Sequence, residues 1–288
     1  MRYACLHTHT NFCDGEGDVE SFCRRAWEKG LYSLGFSSHA PIEKKTGFQT
    51  CWNMKEGLLD KYIETVNAAK RRWKDRLTIF LGLEVDFING LISPADKDYQ
   101  ELGLDYIIGS VHYVLPPHGA PFTVDDSLKE VEQGIKTGYS GDVLAMTEDY
   151  WDSVESLIMA GGFDILGHPD LLIKNNINNY LFSEDAEPYK KRIAGVAVLA
   201  GKSKTTIEVN TGGMNRRKTE SPYPSLPLLK LFRENNVPAV INADAHDPDH
   251  LDGHYAEARK TLLEAGYRKT LLFEGKENNR PVWLEEEL

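Results

Sequence analysis

Thr78-Ile79-Phe80-Leu81-Gly82-Leu83 is an unbroken apolar run after its first residue, and it stops at Glu84, with Asp86 two places further on. A short continuous apolar run marks a strand covered on both faces, as in the parallel sheets of α/β proteins. A carboxylate closing such a strand contributes nothing to the core, so its presence points to chemistry. The same grammar recurs on either side. Apolar, β-branched or aromatic runs at 3–6, 33–37, 106–111, 163–167, 205–209 and 239–243 complete a set of seven predicted strands. They lead into His7-Thr8-His9, Ser38-His39, His112, His168-Pro169-Asp170, Glu208-Val209-Asn210 and Asp244-Ala245-His246. Between them lie amphipathic segments. Asp18 is placed to cap a helix with Val19, Phe22, Cys23, Ala26 and Trp27 on its apolar face and Gly30 at its end. Leu58, Leu59, Tyr62, Ile63, Val66 and Ala69 form one side of a longer helix, and further helices are expected at 147–160, 188–200, 226–235 and 255–265. Segments 43–53 and 116–125 have no period and read as long loops over the active face. Alternating strands and helices without a composition break predict one α/β barrel domain over 1–288.

The composition agrees and removes whole classes of function. Apolar residues make up 41% and charged residues 27% of the 288, ordinary for a globular chain of this size. A net charge of −11 argues against a nucleic-acid partner, which requires a basic face. The basic clusters Lys70-Arg71-Arg72 and Lys190-Lys191-Arg192 fall on helical stretches and read as solvated faces. No apolar run approaches the ~20 residues of a membrane span, and Met1 to Leu6 contains no signal-type apolar region. Cys5, Cys13, Cys23 and Cys51 lack CxxC spacing and read as reduced thiols, with Cys13 beside Asp14 a candidate for contact with the site. These features together predict a cytoplasmic protein with neither a membrane nor a nucleic-acid partner.

Six of the nine histidines stand at the predicted strand ends: His7, His9, His39, His112, His168 and His246. In an α/β barrel the C-terminal strand ends open into one mouth, so residues hundreds of positions apart meet there. Taken singly, His168 before a proline reads as an interior histidine, and His39 before Ala40-Pro41 as part of a turn. His7 and His9, two apart on extended chain, face the same way. The joint pattern is what points to metal, because imidazoles and carboxylates are the usual ligands of zinc and related ions. Six imidazoles with Asp14, Glu84 and Asp244 exceed what one tetrahedral ion can use, so two or three ions are expected. Asp86 and Asp170 read as partners that orient histidines through their free ring nitrogens. His118, His250 and His254 lie in polar, loop-like sequence and read as surface residues.

His7-Thr8-His9-Thr10, Ser38-His39-Ala40-Pro41, Gly82-Leu83-Glu84-Val85-Asp86, Gly109-Ser110-Val111-His112, Asp164-Ile165-Leu166-Gly167-His168 and Asp244-Ala245-His246 occur in this order. As a set they resemble the PHP superfamily, named for polymerase and histidinol phosphatase. Asn210-Thr211-Gly212-Gly213, continuing to Pro222-Tyr223-Pro224-Ser225, is similar to its histidinol-phosphatase branch. The resemblance implies a distorted seven-stranded (β/α) barrel and three metal sites. His7, His9, Glu84 and Asp244 would hold one ion; Glu84 would bridge to a second on His112 and His168; Asp14, His39 and His246 would hold a third. It also implies a phosphate-binding arginine after the Asn-Thr-Gly-Gly turn, where this chain has Arg216 and Arg217, with Arg216 favoured. Ser38 stands where the family often carries aspartate. The expected reaction is hydrolysis of a small-molecule phosphate monoester, L-histidinol phosphate, by zinc, manganese or iron, with Asp244 or His246 protonating the leaving oxygen. The alternatives are a phosphoesterase of the same type acting on another metabolite or nucleotide, and a non-catalytic module stabilised by its metals.

Overall fold

Seven parallel strands lie side by side in chain order: β1 (Ala4–Cys5), β2 (Ser33–Phe36), β3 (Thr78–Asp86), β4 (Tyr106–Ser110), β5 (Ile165–Leu166), β6 (Ile207–Asn210) and β7 (Ala239–Asn242). The computed structural model describes residues 2–48 and 50–288. The ladder closes on itself just beyond the first and last strands. His9 N–H donates to the Ala245 carbonyl at 2.9 Å and Ala245 N–H to the His7 carbonyl at 3.0 Å, which makes a barrel of the sheet. The seven strands expected from sequence are all present, but β1 and β5 are only two residues long. By contrast β3 runs three residues further than the apolar run, pairing Asp86 with Ser110, so Glu84 and Asp86 are part of the strand.

Side chains alternate across a strand, so Phe80 and Glu84, four apart on β3, share its inward face. The barrel interior is therefore layered. Its lower end is filled by Leu6, Phe80, Tyr106, Ile108, Ile165 and Val240. The Tyr106 ring lies where a side chain at Gly82 would stand: a Cβ there would come within 2.5 Å of the ring. Above this layer Glu208, Asn210 and Asn242, all fully buried, form a polar floor, and Glu84 with the histidines lies above that.

Helices cover the outside. α1 (Val19–Glu28) is capped by Asp18, which accepts from Ser21 N–H at 2.7 Å, and it buries Val19, Phe22, Cys23 and Ala26. Trp27, expected on the same face, is half exposed and lies against the helix from Leu59 to Trp73 through Trp73. The helices Val143–Ala160, Glu187–Lys202, Leu226–Glu234 and Tyr255–Glu264 match the periodic segments within a few residues. Elements not evident from periodicity include a helix at Leu128–Gly138, single-turn helices at Glu43–Thr46, within the segment read as a loop, and Lys97–Gln100, and a C-terminal hairpin, β8 (Lys269–Glu277) with β9 (Arg280–Glu287). The hairpin closes the lower end of the barrel, where Phe273 meets Phe80, Tyr106 and Trp283 with ring centroids 4.8, 5.7 and 5.2 Å apart. The segment expected as a loop at 116–125 returns through a two-residue ladder of Tyr113–Val114 with Phe122–Thr123. The basic clusters are paired, Lys70 with Asp105 and Arg72 with Glu20 at 2.5 Å each, and Arg192 with Asp152. All four cysteines are free thiols, and no helix among the described residues is long and apolar enough to cross a membrane.

Candidate metal centre at the barrel mouth

Glu84 is the centre of the mouth. Its side chain is 1% exposed, and three histidine nitrogens converge on its Oε2: His39 Nδ1 at 3.0 Å, His7 Nε2 at 3.1 Å and His9 Nε2 at 3.4 Å. His168 Nε2 and His112 Nε2 stand 3.1 and 3.6 Å from its other oxygen. Asp244, at the end of β7, approaches His9 Nε2 to 3.2 Å and His7 Nε2 to 3.8 Å. On the outer side, Asp14 lies 3.1 Å from His246 Nε2, 3.7 Å from His9 Nδ1 and 4.0 Å from His39 Nε2. All nine expected ligands thus gather in one place. Their donor atoms fall into overlapping groups: His7, His9 and Asp244; His7, Glu84 and His168; His9, Asp14, His39 and His246. A further group joins His39 and His112 to Asp86.

The arrangement fits cations. Among the described residues, His7 Nε2, His9 Nε2, His39 Nδ1 and Glu84 Oε2 are buried with no hydrogen-bond partner. A buried polar atom without a partner is costly, and four converging ones are tolerable when an ion satisfies them together. The charge balance agrees. Burial alone would raise the Glu84 carboxyl, but His7, His39 and His112 hold it well below the usual range. Asp244, next to Arg216 and His7, is held well below as well despite its burial. Burial opposes charge on His39 and His112 too, yet Glu84 raises the first and Asp86 the second to about 9. For His9 the balance goes the other way: burial with His246 and His39 outweighs Asp244 and Asp14 and presses it down to about 3.

Two of the histidines are oriented from behind. Asp86 Oδ1 accepts from His112 Nδ1 at 2.6 Å, as the sequence suggested. Glu208 accepts from His7 Nδ1 at 2.9 Å and also takes N–H bonds from the His168 backbone, Asn210 and Asn242. A carboxylate behind one ring nitrogen fixes the proton there and leaves the other nitrogen free to ligate. Glu208 was visible only as a strand-end residue; its inward parity on β6, shared with Asn210, was the available signal. Asp170, expected to orient a histidine, instead accepts from Ser225 N–H at 2.7 Å and anchors the start of the helix from Leu226 to Glu234. Cys13 does reach the site, with its Sγ 3.5 Å from His9 Nδ1.

The two arginines part company. Arg216 Nη2 lies 3.0 Å from Asp244 Oδ2 and its Nη1 2.8 Å from His246 Nδ1, so the guanidinium sits on the rim of the ligand cluster. Arg217 takes a left-handed backbone (φ 56°) and lines a separate outer groove with Met214 and Lys218. His118 and His254 are exposed, and His250 lines the outer groove. The mouth encloses a cavity of about 270 Å³. Its walls hold, besides the ligand groups and Arg216, six further residues that the sequence did not single out: Trp52, Thr123, Asp125, Asp126, Leu171 and Lys174.

Comparison with known proteins places this architecture. A Deinococcus radiodurans protein named "Probable histidinol-phosphatase" is 30% identical over 265 residues, covering 91% of this chain and 93% of the relative. The histidinol-phosphatase of Bacillus subtilis is 26% identical, covering 83% of this chain and 92% of its own. Among solved structures, one from Listeria monocytogenes superimposes with a TM-score of 0.76 at 24% identity, covering 88% of this chain and 98% of that one. The histidinol phosphate phosphatase of Lactococcus lactis, solved with zinc, L-histidinol and phosphate, gives 0.66 at 17% identity, covering 96% and 99%. Both share the fold. The PHP domain family matches residues 6–212, from the first ligand strand through the turn after β6, and the chain belongs to that family.

Proposed function

We propose that this chain is a metal-dependent phosphate monoesterase that hydrolyses L-histidinol phosphate to L-histidinol and phosphate, with 1–288 acting as one domain. The observation that carries the reading is the convergence of three buried histidine nitrogens on one buried, unpartnered Glu84 oxygen. The relatives' shared name supplies the substrate. Zinc, present in the Lactococcus lactis structure, suits the mixed nitrogen and oxygen donors, as do manganese and iron. His7, His9, Glu84 and Asp244 would hold one ion, Glu84 with His112 and His168 a second, and Asp14, His39 and His246 a third.

When bound, such ions lower the pKa of a coordinated water and neutralise phosphate oxygens. The chain's own residues supply the rest. Arg216 offers a planar pair of N–H donors at the rim, matched to two phosphate oxygens, and its contact with Asp244 keeps it aimed inward. Asp244 or His246, bridged by Arg216, would hand a proton to the leaving alkoxide; Asp244, held ionised, would do so only after taking that proton from the attacking water. Glu208 and Asp86 keep His7 and His112 in the ligating orientation.

The test is direct. Purified protein should contain divalent metal by elemental analysis and release phosphate from L-histidinol phosphate. Chelation should abolish turnover, and added metal should restore it. Turnover by protein shown to be metal-free would overturn the reading.

A further inference from the structure

The cavity has two unlike ends. One is built from the ligand cluster and Arg216, with Glu84 and His39, more than nine-tenths buried, in its wall. The other is walled by Trp52, Asp125 and Asp126, none of which belongs to a ligand group. Carboxylates are an odd lining for a cavity that receives a phosphate dianion. Lys174 pairs with Asp125 through Oδ2 at 3.1 Å, which leaves its Oδ1 without a hydrogen bond among the described residues, and Asp126 Oδ1 accepts from the Ser127 N–H at 2.7 Å.

This rim is also held rigidly. Val124 N–H donates to the His112 carbonyl at 2.9 Å, which brings the returning strand beside a ligand histidine. The Lys174 ammonium donates to the Asp125 carbonyl and, at 3.1 Å, to its carboxylate. Asn175 Nδ2 donates to the carbonyls of Val124 at 3.2 Å and Asp126 at 2.9 Å. Across the cavity, Trp52 is stacked on Tyr113 with centroids 6.2 Å apart, which fixes its ring as a flat wall. Side chains locked by their neighbours are what a selective site requires.

We infer that Asp125, supported by Asp126 and the Trp52 face, is the specificity-determining residue of the site. It reads a positive charge on the alcohol half of the substrate while the ligand cluster and Arg216 take the phosphate. The site thereby selects phosphate monoesters of amino alcohols, and a flat cationic ring or ammonium fits between Trp52 and the carboxylates. This inference rests on the phosphatase reading and adds the basis of selection.

The experiment compares L-histidinol phosphate with p-nitrophenyl phosphate, whose leaving group carries no cation, and measures binding of L-histidinol and of inorganic phosphate by calorimetry. Asp125→Asn should lower the ratio of kcat/KM for histidinol phosphate over p-nitrophenyl phosphate by on the order of 10- to 100-fold, the scale of a lost charge-assisted contact, mainly through KM. It should weaken L-histidinol binding by a similar factor and shift phosphate binding far less. Asp126→Asn should give a smaller shift in the same direction, and Asp125→Glu should recover part of the ratio. An unchanged ratio with unchanged L-histidinol binding would overturn the inference, as would equal losses on both esters and both ligands, the mark of a merely structural role. If the wild type instead hydrolyses other cationic monoesters and not histidinol phosphate, the substrate assignment falls. The subsite then stands or falls on whether Asp125→Asn erases the preference for cationic over neutral esters.

Discussion

The two ends of the barrel are made by the same strands and obey opposite rules. At the lower end, Phe80 of β3 meets Phe273 and Tyr106 of β4 spans the interior; the Tyr106 hydroxyl donates to the Leu6 carbonyl. Four residues further along β3, Glu84 sits among histidines, three of whose nitrogens crowd one carboxylate oxygen without a well-formed hydrogen bond. The lower end is complete in itself, while the upper end is finished only by something from outside the chain. Such strands concentrate stability at one end and chemistry at the other.

Exchanging damage between the ends breaks the comparison most sharply. Glu84→Ala should remove bound metal and nearly all turnover, since every proposed ion lies on or beside that side chain. Phe273→Ala should do the reverse, lowering folding stability by about 3–5 kcal/mol, as for a large aromatic deleted from a core, while metal stoichiometry at 25 °C is kept. Denaturant melts and elemental analysis of both variants would show whether the ends are as separable as this, and metal loss in a folded Phe273 variant would refute it.

A finer cut lies within the mouth. Arg216→Ala should leave metal content intact and reduce kcat/KM by on the order of 10²–10³, the scale of one lost preorganised donor, and lysine should restore only part. Arg217→Ala should have little effect, because that side chain lines the outer groove. A larger loss at Arg217 would place the phosphate grip elsewhere.

The smallest effect concerns protons. His39 and His112 have folded values raised to about 9 from an ordinary 6.5. In metal-free protein their charged forms are stabilising below pH 6.5 or so, and that contribution is lost as pH rises towards about 9. The Tm of stripped protein should therefore fall by several degrees across that window. Metal-loaded protein should be flat there, because the ions replace the protons, and metal affinity should climb over the same range. A flat profile for the stripped protein would show that its histidines are not protonated as described.

Much of this was legible in the residues. Each barrel strand is an apolar run with a polar stop, and a strand's fixed direction converts the stop into a position at the mouth. That is why eight of the nine expected ligands, from His7 to His246, gather there, while the ninth, Asp14, comes from the turn after His9. What escaped depended on partners distant in sequence. Asp170 follows His168 by two residues, yet the chain turns it towards Ser225. Asp125 reaches the cavity only because Tyr113–Val114 pairs with Phe122–Thr123, and nothing local encodes that register. The C-terminal hairpin is rich in charge on its outer face and has only a few buried residues such as Leu272 and Phe273, too weak an alternation to stand out.

The seam that closes the barrel has a consequence for synthesis. It joins His7 and His9 to Ala245, and it runs directly between the ligands of the centre. A chain emerging from the ribosome makes His7 and His9 more than two hundred residues before Asp244 and His246, and cannot bring the four together until the later pair has followed. On the proposed assignment, metal binding would wait for that closure. A circular permutant that opens this seam would test the point, since it should fold around an intact lower end and yet bind metal weakly.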